Sequence, residues 1–179
     1  MINQLKIIEK STGFTLVELV VTLSVAAILL AVAAPNFRQL IQDNRLVAGV
    51  NELSGSINVA RSEAVKRGTR VVVCKSANGS DCVSTGNWEQ GWIIFVDNNN
   101  DATRDTGEAV LRIHEAVEGN VTMTGNGNVA DYISYVPEGR AQTTAGASQA
   151  GTISACLSGK QRVMQLTFVG RLKITRGTC

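Results

Sequence analysis

Residues 14–34 are almost continuously apolar, and the run ends at Pro35. At about 1.5 Å of rise per residue, a helix over this run spans the hydrocarbon core of a bilayer, so the pattern predicts a transmembrane helix over 14–35. Beyond Pro35 the apolar positions continue mostly at steps of three and four: Phe37, Leu40, Ile41, Val47, Val50, Leu53, Ile57, Ala60 and Ala64. Arg38, Asp43, Arg45, Glu52, Arg61 and Glu63 fall largely between them. This periodicity predicts an amphipathic helix over 36–68 that continues the first, with Gly68 as its stop. From residue 69 onward the pattern changes. Runs rich in aliphatic and β-branched residues at 70–75, 92–96, 109–113, 132–136, 152–157, 163–169 and 172–174 read as strands. Gly, Asn and Ser clusters such as Gly125-Asn126-Gly127-Asn128 separate them. Helix first and strands afterwards predicts an α+β fold, with the helix packed on an antiparallel β-sheet domain over 69–179. The stretch 141–151, rich in Gln, Thr, Ala, Gly and Ser, reads as a flexible loop.

A chain of 179 residues has room for one compact domain and an anchor. Aromatic content of 4% means the core must be built mainly from aliphatic side chains. The net charge of +2 is uninformative, but its distribution is uneven: from 139 to the end there are six basic residues and no acidic one. The stretch 81–118 is biased the other way. Such asymmetry marks either a docking face or an ordinary solvated surface. Cys74, Cys82, Cys156 and Cys179 form no C-x-x-C pair, and the lone His114 does not complete a zinc set. An even cysteine count in an exported domain favours disulfides. Of the three possible connectivities, Cys74–Cys82 with Cys156–Cys179 is the natural pairing, the second bridge pinning the C-terminal tail. No P-loop, G-x-S-x-G or paired-carboxylate set is present, so neither an enzyme nor a small-molecule substrate is expected.

The N-terminus carries the strongest signal. Lys6 and Lys10 precede the apolar run and predict a cytoplasmic start. This polar region ends in Gly13, directly before the run, whereas an ordinary secretory signal is cut after its apolar run. Glu18 is the one charge inside the run, and a carboxylate in hydrocarbon costs several kcal/mol, so it implies a function or a partner. If the chain is cut after Gly13, Phe14 carries a new α-amino group, and Glu18 lies one helical turn further on. In a packed filament the Glu18 carboxylate can then pair with the terminal amine of a neighbouring subunit.

The string Gly13-Phe14-Thr15-Leu16-Val17-Glu18-Leu19, followed by an apolar run with Pro35, resembles the type IV pilin and pseudopilin family. The resemblance implies a leader peptide over 1–13, cut after Gly13 by a prepilin peptidase that then methylates Phe14. It also implies a role for Glu18 in filament registry, and a single-pass inner-membrane protein with its C-terminal domain in the periplasm. Ala60-Arg61-Ser62-Glu63-Ala64 and Gly91-Trp92-Ile93-Ile94-Phe95-Val96-Asp97, followed by an Asn/Asp loop, are similar to the GspH/FimT branch. That branch includes minor pseudopilins of type II secretion and the minor pilins FimU and FimT. The implied function is a minor pilin or pseudopilin near the tip of a type IV pilus or pseudopilus. There it primes assembly with other minor and major pilins or pseudopilins. Two alternatives stay open: a FimT-like DNA-binding minor pilin for uptake in natural transformation, and a type II secretion system protein H-like pseudopilin for protein secretion.

Two constellations remain. Asp97, Asn99, Asp101, Asp105 and Glu108 stand at the side-chain positions of a calcium-loop pattern, with the Thr103 carbonyl between them. Ala102 occupies the position where that pattern carries Gly, and the flanks read as strands. The competing reading is a polar hairpin loop of Asx turns, in which case no cofactor is expected. In the basic tail, period two places Arg171, Lys173 and Thr175 on one strand face and turns Leu172 and Ile174 to the core. Arg171, Lys173 and Arg176, with Arg140, form a candidate DNA-binding set whose contacts would be salt-dependent and blind to sequence. FimT-like proteins carry Gly-Arg-x-Arg near the C-terminus; here the residues are Gly170-Arg171-Leu172-Lys173, and Lys keeps the charge but loses the bidentate fork. No aromatic residue interleaves these cations. The competing reading is an edge strand kept from aggregating by its charges. Trp88 and Trp92, four apart across Gly91, read as core.

Overall fold

A computed structural model describes residues 13–179, apart from the side chains of Val32, Pro35 and Asn36. The leader expected over 1–13, with Lys6 and Lys10, lies outside the described residues except for Gly13. One long helix, α1 (Leu16–Arg67), is followed by β1 (Arg70–Lys75), β2 (Trp92–Asp97), β3 (Val110–His114), β4 (Thr122–Gly125), β5 (Tyr132–Tyr135), β6 (Gly151–Leu157), β7 (Lys160–Leu166) and β8 (Leu172–Thr178). The chain divides into two compact units, Met1–Leu40 and Ile41–Cys179.

In the first unit the helix begins behind Thr15. The Thr15 hydroxyl oxygen accepts the Glu18 N–H at 3.2 Å, and the Thr15 carbonyl accepts the Leu19 N–H at 3.1 Å. Thr15 thus caps the helix with its side chain, half of the capping-box pattern that Thr15-x-x-Glu18 spells. The apolar side chains here are uncovered: Phe14 and Leu16 are each 78% exposed and Leu30 is 66% exposed. Among the described residues no helix is long and apolar enough to cross a membrane. The span expected over 14–35 includes side chains outside that description.

In the second unit α1 buries one stripe: Leu46, Val50, Leu53, Ile57, Ala60 and Ala64. The steps alternate four and three, which keeps one face of a 3.6-residue helix turned inward. The expected stripe needs correction at its start. Ile41 is 37% exposed, and Leu46 rather than Val47 is the first buried position. Val47 lies one position round the helix, at the edge of the stripe. Gly68, at φ +65°, ends the helix with its N–H on the Ala64 carbonyl at 3.0 Å.

Two antiparallel four-stranded sheets replace the one expected: β3-β2-β1-β5 and β4-β6-β7-β8. β1 and β2 are buried at every position, which explains their unbroken apolar runs. Val71, Val73, Trp92 and Ile94 join the helix-side core. Val72, Cys74, Ile93 and Phe95 form a second, smaller core on the opposite face, with Ala102 against them. Trp88 and Trp92 are core as expected; their indole N–H groups donate to the Val129 carbonyl at 3.1 Å and the Ser56 hydroxyl at 2.9 Å.

Three local readings differ from the sequence expectation. β4 has no counterpart in it; Gly and Asn flank this four-residue strand on both sides, and Met123 is its one fully buried residue. The strand placed at 163–169 runs instead over Lys160–Leu166, because Ser158 and Gly159, at φ 50° and 79°, make a two-residue hairpin between Leu157 and Lys160. The stretch 141–151 is not a loose loop. Gln149 is fully buried; it accepts the Ser134 N–H at 2.9 Å and donates to the Asn128 and Tyr132 carbonyls at 2.7 and 2.9 Å. A buried amide with its polar atoms satisfied fixes the surrounding backbone.

Candidate functional site

Both disulfides expected from the sequence are present, Cys74–Cys82 and Cys156–Cys179. The first ties β1 to the loop after it. Buried Lys75 crosses the same loop, with its ammonium on the Ser84 and Gly86 carbonyls at 3.2 and 2.9 Å and on Asp131 at 2.8 Å. The second bridge holds the end of β8 against β6, so the edge strand carrying the basic tail is anchored by its terminal residue.

At the N-terminal end, Gly13 and Phe14 precede α1 and Glu18 lies in its first turn. Among the described residues Glu18 has no cation within ion-pair distance. Its carboxylate lies in the first turn, at the positive end of the helix dipole.

The candidate DNA-binding cations do not form one set. β7 and β8 pair with Arg162 opposite Arg176, Met164 opposite Ile174 and Leu166 opposite Leu172. These residues share the face that holds buried Met164 and Leu166. Arg176 thus lies on the opposite face of β8 from Lys173. Ile174, expected in the core, is 43% exposed, because it belongs to an edge strand that the helix covers incompletely.

The backbone beside Arg171 and that on either side of Arg140 meet at another point. The turn 167–170 closes with the Thr167 N–H on the Arg171 carbonyl at 2.9 Å and the Gly170 N–H on the Thr167 carbonyl at 2.8 Å. The Gly170 carbonyl accepts the Tyr135 hydroxyl at 2.9 Å and the Arg61 guanidinium at 3.4 Å. Burial pushes the Tyr135 phenol up to about 12, with Arg61 opposing the shift, so it stays a donor. Gly170 has φ +78°, and a Cβ there would stand 3.0 Å from the Ala141 nitrogen and 3.1 Å from the Gly139 carbonyl oxygen. Only glycine suits that contact, which sets the chain on either side of Arg140 against the residue before Arg171. At the tip of the turn Phe168 is 72% exposed and Val169 58% exposed. An exposed aromatic residue therefore stands three residues before Arg171. The sequence reading missed it by placing 168–169 inside a strand; the signal was the Gly170 that ends that run.

In the acidic loop the carboxylates are turned to donors of the loop itself. Asp97 is fully buried; its Oδ1 accepts the Asn100 and Asp101 N–H groups at 2.7 and 3.2 Å, and its Oδ2 accepts the Ala102 N–H at 3.0 Å. Glu108 accepts the Asn98 and Asp105 N–H groups at 2.7 and 3.0 Å. The Asn99 amide N–H group donates to Asp101 at 2.9 Å and Asp105 at 2.8 Å. The carboxylates are thus used to cap the loop's own donors, as in the Asx-turn reading. Among the described residues no group of three or more His, Cys, Asp or Glu side chains is arranged to hold a metal ion. Burial raises Asp97 above its ordinary value, against the pull of the Ala102 and Asn100 N–H groups, with Glu108 adding to the rise.

Two family models match the chain. The model described as type II transport protein GspH covers residues 49–170, and the prokaryotic N-terminal methylation motif covers residues 10–34. No curated protein matches it by sequence. Among solved structures, the type IV minor pilin FimU of Pseudomonas aeruginosa (strain PAO1) is similar in two crystal forms. In space group P21 the TM-score is 0.56 at 20% identity, covering 76% of this chain and 92% of that chain. In P65 the TM-score is 0.52 at 20% identity, with coverage of 72% and 90%. The minor pseudopilin EpsH of the Vibrio cholerae type 2 secretion system is more distant, at a TM-score of 0.47 and 10% identity, covering 72% and 94%. The FimU likeness shows the fold: a long N-terminal helix packed by its C-terminal half on antiparallel sheet.

Proposed function

Since the chain belongs to the GspH family, whose members are structural pilin and pseudopilin subunits and not enzymes, we propose that it is cut after Gly13, methylated at Phe14, and inserted near the tip of a type IV pilus or pseudopilus to prime assembly. One observation carries this reading. The methylation motif over residues 10–34 runs directly into α1, and Glu18 stands unpaired in its first turn among the described residues. An apolar surface left uncovered around Glu18 suits lipid before assembly and neighbouring helices after it. Residues 14–35 then anchor the subunit in the inner membrane, and the two-sheet unit with its disulfides lies in the periplasm, where disulfides persist. The processing enzyme is a prepilin peptidase, and the partners are other minor and major pilins or pseudopilins. Deletion of the gene, scored in parallel for surface pili and for secreted protein, tests the role. Loss of pili places the subunit in a type IV pilus, loss of secretion places it in a type II system, and loss of neither refutes assembly priming.

A second reading, DNA capture, is favoured by the turn 167–170. There Phe168 is exposed three residues before Arg171, and the Gly170 backbone packs against the residues on either side of Arg140. Cations flanking an exposed ring suit a flexible polyanion with stackable bases. Its test is fluorescence anisotropy of labelled DNA at low and moderate salt, with Arg140→Gln/Arg171→Gln as the variant. Binding unaffected by salt or by the variant would refute this reading.

A further inference from the structure

We propose that the cleft between α1 and β8 is a binding site for the carboxylate of an acidic side chain presented by a neighbouring protein subunit. Arg162 and Arg176 are direct cross-strand partners on one face of the β7–β8 pair. Like charges placed opposite each other on a sheet destabilise it, so this juxtaposition calls for an anion between them. Among the described residues neither guanidinium has an ion-pair partner. The nearby carboxylate of Asp43 is already taken by Lys160 at 2.6 Å.

Both arginines line a cavity of about 260 Å³. Val47 and Val50 of α1 and Ile174 of β8 supply its apolar surface, and no acidic residue lines it. A guanidinium grips a carboxylate with two parallel hydrogen bonds. The methylenes of a glutamate would rest on Val47, Val50 and Ile174 while its carboxylate bridges the two forks. A free phosphate has no apolar part to cover those walls, so the cleft favours a side chain on a protein surface over an inorganic anion. β8 is also the outer strand of its sheet, so a partner can approach its open edge without displacing a neighbouring strand. The inference rests on the reading of the chain as a subunit among other subunits.

The test uses the full chain in nonionic detergent, with thermal unfolding followed by the fluorescence of buried Trp88 and Trp92. The probes are a hexaglutamate peptide and inorganic phosphate at matched ionic strength. At about ten times its apparent Kd the peptide is expected to raise Tm by about 3–5 °C. Arg176→Gln should abolish that rise and leave the ligand-free Tm unchanged or higher. Lys173→Gln, which makes the same charge change on the other face of β8, should retain it. A peptide effect that survives Arg176→Gln, that Lys173→Gln removes equally, or that phosphate exceeds would overturn the site. So would a ligand-free Arg176→Gln more than about 2 °C less stable than the parent, which would mean that the arginines hold the fold together. A chain that keeps its leader in the cell yet responds to the peptide refutes the subunit reading alone. A correctly processed chain with no response refutes this site alone.

Discussion

Asp97→Asn tests how the acidic loop is held. The wild-type carboxylate is fully buried and accepts three backbone N–H groups, two on Oδ1 and one on Oδ2. Asparagine keeps one oxygen and can satisfy Asn100 and Asp101. Its amide nitrogen would then face the Ala102 N–H, leaving two donors against each other where no water reaches. An orphaned buried donor costs about 1–3 kcal/mol. Buried Arg70 also loses the carboxylate 4.0 Å away, although it keeps its hydrogen bonds to Asn100 and Ser134 at 3.1 and 2.8 Å. Removing a desolvated charge offsets part of this, so the expected net loss is about 2 kcal/mol at pH 7. Urea denaturation of both proteins at pH 7 and pH 4 measures it. Burial raises the folded pKa of Asp97 above its ordinary 3.8, so the folded chain binds the proton more readily than the unfolded chain does. The stability this group contributes is complete below the unfolded value and is lost as pH rises through the folded one. The wild type should therefore gain on the variant as pH falls from 7 to 4. A loss below about 0.5 kcal/mol, or a gap that narrows on acidification, would refute the reasoning. Millimolar calcium should shift neither curve, because the carboxylates already cap the loop's own N–H groups.

Three further predictions follow from the packing. Leu53→Ala, at a fully buried position in the α1 stripe, should cost about 3 kcal/mol in chemical denaturation, and a cost under about 1 kcal/mol would contradict the stripe. Gly170→Ala should lower Tm by several degrees and weaken any binding that depends on Arg171, since the new methyl meets backbone atoms on both sides of Arg140 at a positive φ; an unchanged Tm would mean the turn is not pinned as described. Replacing Cys156 and Cys179 together by serine should cost about 3 kcal/mol, more than the same change at Cys74 and Cys82, because the separation closed is 23 residues against 8. Equal losses measured by urea denaturation would contradict that order.

The parts of this molecule that follow from periodicity were legible in the sequence. The switch from three-and-four spacing to β-branched runs placed α1 and seven of the strands, and the cysteine count with its spacing gave both bridges. What escaped depends on contacts between distant segments. Nothing local to Thr122–Gly125 marks it as a strand; it exists because β6 offers an edge and Met123 fills a gap in the core. Gln149 looked like loop composition, yet it is buried by three partners 15 to 21 residues away. The basic tail was read as one patch from its run of cations, although period two along β8 already sets Arg176 on the other face from Lys173. Pairing with β7 adds that Arg176 stands opposite Arg162, while the Gly170 before Arg171 packs on the backbone either side of Arg140.

The most direct test of the central claim is intact-mass and N-terminal peptide analysis of the chain recovered from membranes of its own cells. The account predicts a mature protein that begins at N-methylated Phe14, with Gly13 and everything before it removed. A chain that retains Met1–Gly13, or one cut after the apolar run instead of before it, would contradict it.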